Sequence, residues 1–254
     1  MKKIISTIIT LLMAGGLWAA ETVIIVSDST AVDYRGRKNP YNQNQVGWEP
    51  MSGWGEFAAD AASKQVKVIN RSAGGFSSRT YWEKQQKSTR KYFREGAWLL
   101  LSFGSNDARP NAKEPERNTT PDGTYPEYMG KIADDARAAG MKVVIISPPP
   151  FFSMESGKFA NPVLAPYARS AEKLARENHY AYVDLFGMMS DYLSNMDQKE
   201  ILTHYMFLAP GESPNWPRGR RDPLHLTAKG SRKAWELVLE GLKKEVPDLA
   251  KLFN

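Results

Sequence analysis

The first candidate for chemistry in the sequence is a serine that follows a strongly apolar run. The run Thr22–Val26 leads directly into Ser27-Asp28-Ser29-Thr30. A serine at a strand-to-helix turn holds its hydroxyl above the sheet edge, where the helix N-terminus offers free backbone N–H groups and a positive dipole end. Those features suit Ser29 as a nucleophile whose attack creates an oxyanion. The same four residues are also typical of a helix-capping turn, so this segment alone leaves both interpretations open.

A second candidate is the pair Asp222 and His225, which lies near the C-terminus in the sequence Asp-Pro-Leu-His. A spacing of three within a turn lets the aspartate accept a hydrogen bond from one ring nitrogen, and the other nitrogen can then act as a base toward a serine. The alternative is a loop that merely caps a helix beginning near Thr227. Both interpretations stay open at this point.

Two further loops could stabilise negative charge. The segment Arg71–Arg79 contains Gly74-Gly75, and a glycine backbone N–H can approach a reacting carbonyl closely. The segment Phe103–Asp107 offers the side-chain amide of Asn106 as another donor. Each loop alone is compatible with ordinary turn chemistry. All four segments, however, follow predicted strands or precede the last helix, so a single fold can bring them together.

The apolar patterning of the chain predicts the framework that would position these segments. Five short apolar runs alternate with helical patterns, and several of them are apolar at every position, as in strands buried on both faces of a parallel sheet. The runs are Thr22–Val26, Val66–Asn70, Trp98–Phe103, Lys142–Ser147 and Ala181–Leu185. We therefore predict an α/β protein, a three-layer α/β/α sandwich with a five-stranded, mainly parallel sheet, in one domain over residues 21–254.

Three helix signals accompany these strands. Thr124 and Glu127 fit a capping box that opens a helix ending at Gly140. Asn161-Pro162 is a good helix entry, and Thr227 could cap the last helix.

The composition excludes several classes of site. The chain of 254 residues has no cysteine and only three histidines, His179, His204 and His225. Disulfides, iron–sulfur clusters and Cys nucleophiles are therefore excluded, and there is no His-pair signature of a metal site. We expect no metal and no other cofactor. The formal net charge is +6, but the most basic stretch, residues 84–94, lacks interleaved base-stacking aromatics, so we interpret it as a solvated helix face and expect no nucleic-acid partner.

Residues 1–20 have the layout of a secretory signal peptide. Lys2 and Lys3 precede an apolar run that ends at Met13, and Ala19-Ala20 offers a small-residue exit. The run is short for a membrane span, although an uncleaved N-terminal anchor is the alternative. We predict cleavage after Ala19 or Ala20, no stable membrane insertion afterwards, and a periplasmic or secreted protein.

The four candidate segments together resemble a known family. They match, in order, the four blocks of the SGNH (GDSL-type) hydrolases, through Ser29, Gly75, Asn106 and His225. More narrowly, the chain resembles the rhamnogalacturonan acetylesterase-like branch. The motifs that carry this resemblance are the Asp-Ser-Thr opening, the loop Gly74–Arg79, the block Phe103–Asp107 and the stretch from Pro210 to His225. Ser27 stands where the family usually has glycine, and Ser105 where this branch often has histidine.

The resemblance implies a three-layer α/β/α fold and metal-free ester hydrolysis, often of acetyl groups on pectin-type polysaccharide. It implies that Ser29 is the nucleophile, His225 the base and Asp222 the residue that orients the base. The oxyanion donors would be the backbone N–H groups of Ser29 and Gly75 and the side chain of Asn106.

The substrate contacts can be predicted less directly. Trp216 is the best candidate for direct contact with the substrate. It lies beside Arg218, Arg220 and Arg221, which could pair with galacturonate carboxylates, although a solvated basic loop is the alternative. We predict a monomeric serine esterase that removes acetyl groups from pectin- or rhamnogalacturonan-type poly- or oligosaccharide.

Two other functions remain as alternatives. A lipid esterase or thioesterase on the same scaffold would need an apolar acyl groove, whereas these loops mix arginine, asparagine, proline and aromatic residues. A catalytically inactive carbohydrate-binding protein would not need the complete set of Ser, Asn, Asp and His.

Overall fold

The computed structural model describes residues 21–38 and 47–254. In this part of the chain five parallel strands form the central sheet, in the order β3-β1-β4-β5-β8. The strands are β1 (Glu21–Ser27), β3 (Val66–Asn70), β4 (Trp98–Ser102), β5 (Lys142–Ile146) and β8 (Ala181–Val183). From β1 the chain adds β3 on one side and β4 on the other, so the strand order reverses between β1 and β4. In open α/β sheets, ligands bind outside the carboxyl ends of the strands at such a switch point.

Both faces of the sheet are covered because its strands are apolar on both sides. In β1, Val23 and Ile25 face one helical layer and Ile24 and Val26 face the other, and all four side chains are fully buried. The first layer is formed by α1 (Trp54–Ala61), α6 (Leu185–Ser194) and α8 (Ala228–Glu245). The second is formed by α2 (Ser78–Lys84), α4 (Thr124–Ala138) and α5 (Ala165–Glu177). The predicted three-layer α/β/α sandwich with a five-stranded parallel sheet is thus confirmed.

A second, antiparallel sheet was not predicted from the sequence. It contains β2 (Met51–Ser52), β9 (Tyr205–Leu208) and β10 (Arg220–Thr227) in the order β2-β10-β9. The register between β9 and β10 shifts between Asp222 and Leu226, and such an irregularity re-aims the side chains of the strand that contains it. Asp222 and His225 therefore lie on an irregular strand rather than in a loop.

The remaining described elements are small. They are the hairpin β6 (Met154–Glu155) and β7 (Lys158–Phe159), and the helices α3 (Gln86–Arg90), α7 (Gln198–Leu202) and α9 (Pro247–Ala250). Within the described ranges, no helix combines the length and the apolar character needed to cross a membrane. The predicted signal peptide, residues 1–20, lies outside those ranges.

The predicted central strands are all present, and four of them differ from the prediction by one or two residues at one or both ends. The third ends at Ser102 rather than Phe103, and the fifth ends at Val183 because the Asp184 carboxylate caps α6 by accepting a hydrogen bond from Gly187 N. Leu185 therefore begins a helix instead of ending a strand.

The helix starts were predicted with mixed success. Thr227 does cap α8, since its hydroxyl accepts a hydrogen bond from Gly230 N. The Thr124–Glu127 capping box is wrong, because Thr124 exchanges hydrogen bonds with Thr120 and Glu127 pairs instead with Lys131.

The entry at Asn161-Pro162 is also displaced. The side chain of Asn161 caps a turn by accepting a hydrogen bond from Leu164 N, and α5 begins only at Ala165. The Asn-Pro signal therefore marks the turn before the helix rather than the helix itself.

Candidate active site

The carboxyl ends of the central strands and the irregular part of β10 surround one cavity of about 830 Å³. Ser29 follows β1, Gly75 follows β3 and Asn106 follows β4, while Asp222 and His225 come from β10. All five line this cavity. The structure thus brings together residues that are up to almost 200 positions apart in the sequence.

Ser29 begins a short 3₁₀ turn, Ser29–Ala31, that is held from both sides. The Asp28 carboxylate accepts hydrogen bonds from Thr30 N at 2.9 Å and from the Thr30 hydroxyl at 2.7 Å. The Tyr34 hydroxyl donates to the Ser29 carbonyl at 3.0 Å. Burial raises the pKa of Asp28, although the hydrogen bonds from Thr30 oppose that shift. Among the described residues the Ser29 hydroxyl has no hydrogen-bond partner, so it is available to a ligand or a base.

Asp222 holds His225 in a defined orientation. The Asp222 Oδ2 atom lies 2.7 Å from Nδ1 of His225, and Asp222 Oδ1 accepts the backbone N–H of His225 at 3.1 Å. With Nδ1 donating to the carboxylate, Nε2 is the basic ring atom.

The same carboxylate has a second cationic partner. Arg220 donates to Asp222 Oδ2 through Nε at 3.0 Å and through Nη2 at 2.6 Å. Burial alone would raise the pKa of Asp222, but the hydrogen bonds from His225 and Arg220 hold that pKa well below its usual range. Asp222 is therefore a carboxylate, able to orient an imidazole and to stabilise an imidazolium.

The loop Gly74–Arg79, called the glycine loop below, lies beside Ser29. A Cβ atom on Gly74 would be 3.8 Å from the Ser29 Cβ, and Gly75 has a φ of +81°, in the left-handed region that favours glycine. In the part of the chain that the structure describes, neither the Ser29 N–H nor the Gly75 N–H donates to a protein acceptor. Asn106 donates one side-chain N–H to the Phe76 carbonyl at 2.9 Å, and its amide has a second N–H to offer.

Asp107 connects the glycine loop to its own loop, Phe103–Asp107, which also contains Asn106 and is called the Asn106 loop. This carboxylate is fully buried and accepts hydrogen bonds from the backbone N–H and hydroxyl of Ser78 and from the hydroxyl of Thr119. Burial raises the pKa of Asp107 to about 6 against the effect of those hydrogen bonds. The two loops that contain the amide donors are therefore tied to one buried group.

The cavity is strongly cationic, and of its cations only Arg220 and Arg221 were anticipated from the sequence. Six of the described residues that line it are arginine or lysine, whereas one, Asp222, is acidic; the six are Arg37, Lys38, Arg109, Arg117, Arg220 and Arg221. Trp48 also lines it. The sequence offered no signal for Arg37 or Lys38 beyond their charge, but Arg109 and Arg117 lie in the loop that follows Asn106.

Trp216 is placed differently from the expectation of direct substrate contact. Its side chain is 4% exposed and does not line the cavity, and its Nε1 donates to the Trp48 carbonyl at 3.0 Å. The guanidinium of Arg220 lies over the Trp216 ring, 4.5 Å from its centroid. Trp216 is therefore a buried residue that packs against Arg220, and Arg220 rather than Trp216 lines the cavity.

The other two histidines do not contribute to the cavity. His204 is fully buried beside Tyr192, and burial lowers its pKa. His179 lies in the turn that follows α5 and has a φ of 56°. In the described ranges, no group of three or more His, Asp or Glu side chains is arranged to hold a metal ion.

Two known proteins are similar in sequence to this chain over most of its length. The chain is 27% identical over 226 residues to the probable rhamnogalacturonan acetylesterase YesY of Bacillus subtilis, covering 89% of this chain and 94% of that protein. It is also 27% identical over 196 residues to the rhamnogalacturonan acetylesterase RhgT of the same organism, covering 77% and 82%.

Solved structures show the same fold at lower identity. The crystal structure of the Bacillus subtilis protein YxiM matches with a TM-score of 0.68 at 24% identity, covering 89% of this chain but 56% of that one, so this chain spans just over half of it. An acetylxylan esterase from Geobacillus stearothermophilus matches with a TM-score of 0.60 at 15% identity, covering 88% and 94%.

The family assignment follows from a match that is longer than any single motif. The model of the GDSL-like Lipase/Acylhydrolase family matches residues 28–233, which include the turn at Ser29, the loops that contain Gly75 and Asn106, and β10. The protein belongs to this family of ester hydrolases.

Proposed function

We propose that the protein is a serine esterase that removes acetyl groups from acidic plant cell-wall polysaccharide of the pectin or rhamnogalacturonan type. The observation that carries the proposal is one cavity lined by a serine, an Asp-paired histidine, two amide-bearing loops and an excess of cations. The serine, the histidine and the amide-bearing loops are the groups that acyl transfer needs, and the cations favour a substrate with negative charge.

In the first step Ser29 attacks the acetyl carbonyl while His225 Nε2 takes the hydroxyl proton. Asp222 keeps the imidazole oriented and stabilises its charged form. The oxyanion is stabilised by the N–H groups of Ser29 and Gly75 and by the Asn106 side chain. As the tetrahedral intermediate collapses, the ester C–O bond breaks, His225 protonates the sugar oxygen, and the acetyl group stays on Ser29.

In the second step water replaces the sugar. His225 takes a proton from water as the water oxygen bonds to the acyl carbon, and the same amide donors stabilise the second tetrahedral oxyanion. Collapse breaks the bond between Ser29 Oγ and the acyl carbon, returns the proton from His225 to Ser29 and releases acetic acid, which ionises to acetate in water. No group beyond this chain and water is required for the balance of atoms and protons.

The charge of the cavity supports an acidic polysaccharide. Guanidinium groups such as those of Arg109 and Arg221 pair with carboxylates through charge-assisted hydrogen bonds, and Trp48 adds an aromatic side chain to the same lining. Two relatives are named rhamnogalacturonan acetylesterases. A long apolar acyl chain would desolvate these cations without pairing them, which makes the lipid esterase the weaker candidate.

We also propose that residues 21–254 form one exported, monomeric hydrolase domain after removal of residues 1–20. The basic, apolar and small-residue order of that N-terminal segment supports export.

Acetate release from acetylated pectin tests the proposal, with acetylated xylan and long-chain nitrophenyl esters as competing substrates. Ser29→Ala should abolish release. Ser63→Ala is the matched control, because Ser63 lies before β3, at the opposite end of the sheet from the cavity.

The substrate class is read from the same panel. Pectin should be preferred, and added salt should weaken its binding but leave nitrophenyl acetate unaffected, since salt screens exposed charges. Activity that survives in Ser29→Ala refutes the mechanism. Equal or better turnover of xylan or long-chain esters refutes the substrate class.

A further inference from the structure

Arg117 connects the basic wall of the cavity to the glycine loop. It ends a 3₁₀ turn, Pro115–Arg117, and its Nη1 atom donates to the Gly75 carbonyl at 3.3 Å. The same atom lies 3.2 Å from Glu114 Oε2. The Arg117 side chain is 19% exposed.

The turn that carries Arg117 is itself fixed to the core of the site. Thr119 donates its backbone N–H to the Asp107 carbonyl at 3.1 Å and its hydroxyl to the Asp107 carboxylate at 2.8 Å. Asn118 donates to the same carbonyl at 2.7 Å. Arg117 therefore reaches Gly75 from a rigid base rather than from a free loop.

The contact is made at Gly75, the residue of the glycine loop whose N–H is proposed to stabilise the oxyanion. Gly75, at a φ of +81°, has the conformational freedom of glycine, and its N–H is free of protein acceptors in the described ranges. The next carbonyl, that of Phe76, is held by Asn106. Two successive carbonyl groups are thus anchored, one by Arg117 and one by Asn106, and together they restrict the two peptide units that follow the one carrying the Gly75 N–H.

We infer that Arg117 is a positioning residue for the oxyanion site: its bond to the Gly75 carbonyl holds the Gly75 N–H toward the reacting carbonyl. Its charge also lies beside the site where negative charge develops, without touching the substrate. This inference rests on the proposed function. It assigns to one of the six cavity cations a role in catalysis rather than in polysaccharide binding.

The competing role for Arg117 is recognition of a substrate carboxylate. The two roles differ for nitrophenyl acetate, which is small and has no carboxylate. A positioning residue affects kcat for that ester, whereas a carboxylate-binding residue affects only KM for the acidic polysaccharide.

The experiment compares Arg117→Gln and Arg117→Lys with the wild type on nitrophenyl acetate. Lys84→Gln is the matched control, because Lys84 pairs with Glu116 of the same 3₁₀ turn at 3.3 Å but does not line the main cavity or bond to Gly75. Thermal unfolding checks that each variant is folded, and Arg117→Lys provides a second variant should Arg117→Gln not fold. Methylboronic acid, whose tetrahedral adduct with a serine resembles the intermediate, reports on the oxyanion site directly.

Loss of one hydrogen bond from a charged donor should lower kcat of Arg117→Gln roughly tenfold, with KM within about twofold of wild type. Binding of methylboronic acid to Arg117→Gln should weaken by a similar factor. The kcat of Arg117→Lys should lie between those of Arg117→Gln and the wild type, and the kcat of Lys84→Gln should equal that of the wild type.

Three results would overturn the inference. They are an unchanged kcat in both Arg117 variants, an effect confined to KM of pectin, and a loss of kcat in Lys84→Gln as large as that in Arg117→Gln. Failure of the proposed function itself is distinguishable, because it would show as activity in Ser29→Ala or none in the wild type.

Discussion

Removing the Tyr34 hydroxyl should weaken the turn that carries Ser29, the proposed nucleophile. In Tyr34→Phe the ring and its packing against Trp48 stay, while the hydrogen bond to the Ser29 carbonyl is lost. Among the described residues, that carbonyl then retains only the longer contact from Val32 N, at 3.4 Å. Burial raises the pKa of Tyr34, so the wild-type hydroxyl remains a donor throughout the range of an ordinary assay.

The magnitude follows from the loss of one neutral hydrogen bond to a buried carbonyl. Such a loss costs about 1 kcal/mol of unfolding free energy, which for a chain of this size lowers Tm by about 2–4 °C. If the same free energy is needed to restore the reactive position of Ser29, kcat for nitrophenyl acetate falls about fivefold. KM for this small ester should change little.

Tyr205→Phe is the matched control. The Tyr205 hydroxyl also donates to a buried backbone carbonyl, that of Pro150 at 2.8 Å, but Tyr205 does not line the cavity. Both variants should lose similar stability, and only Tyr34→Phe should lose kcat. Equal kcat values in the two variants would show that Tyr34 stabilises the fold without positioning Ser29. An effect of Tyr34→Phe on KM alone would show that its hydroxyl contacts the substrate instead.

Two further predictions concern the buried groups around the amide donors. Asn106→Ala should lower kcat for nitrophenyl acetate by roughly 10²–10³, because it removes one oxyanion donor, and a loss below about tenfold would contradict that role. For Asp107 the folded pKa, about 6, lies above the unfolded value of about 3.9, so its stabilising contribution is complete below pH ~4 and is lost as pH rises through 6. Denaturant unfolding should therefore show wild type gaining up to about 3 kcal/mol relative to Asp107→Asn on going from pH 7 to pH 4, and a change of opposite sign would refute the assignment.

The central sheet could be predicted because its strands are buried on both faces. A run such as that in β4, with Leu99, Leu100 and Leu101 in succession, is compatible with few other environments, and all three side chains are fully buried. The antiparallel sheet could not be predicted in the same way. Its strand β2 has two residues, and β10 is rich in charge, so neither has the pattern of a buried strand.

The residues that line the site were predictable where they belong to short motifs, and their partners were not. The spacing of Asp222 and His225 anticipates the contact between their side chains. Nothing in the spacing reveals that Arg220 bonds to the same carboxylate oxygen, because that contact requires the extended backbone of β10. Likewise Tyr34 and Arg117 donate to backbone carbonyls. Every residue has a carbonyl, so the residue types do not indicate which one accepts such a hydrogen bond.

The buried ring of Trp216 connects the part of the cavity proposed to bind the substrate with the pair Asp222 and His225, which is proposed to act in catalysis. A tryptophan beside arginines suggests a surface for stacking sugars, yet this ring is covered by Arg220 on one side and holds the Trp48 backbone through its Nε1 atom. Arg220 in turn bonds to Asp222, which orients His225. The cavity wall at Trp48 and the Asp222–His225 pair are therefore connected through Trp216 and Arg220, and we expect this wall to move little relative to His225. For the proposed acyl transfer such rigidity matters because the reaction depends on the geometry between the bound ester and the base, and it gives a buried tryptophan a role other than stacking on a sugar.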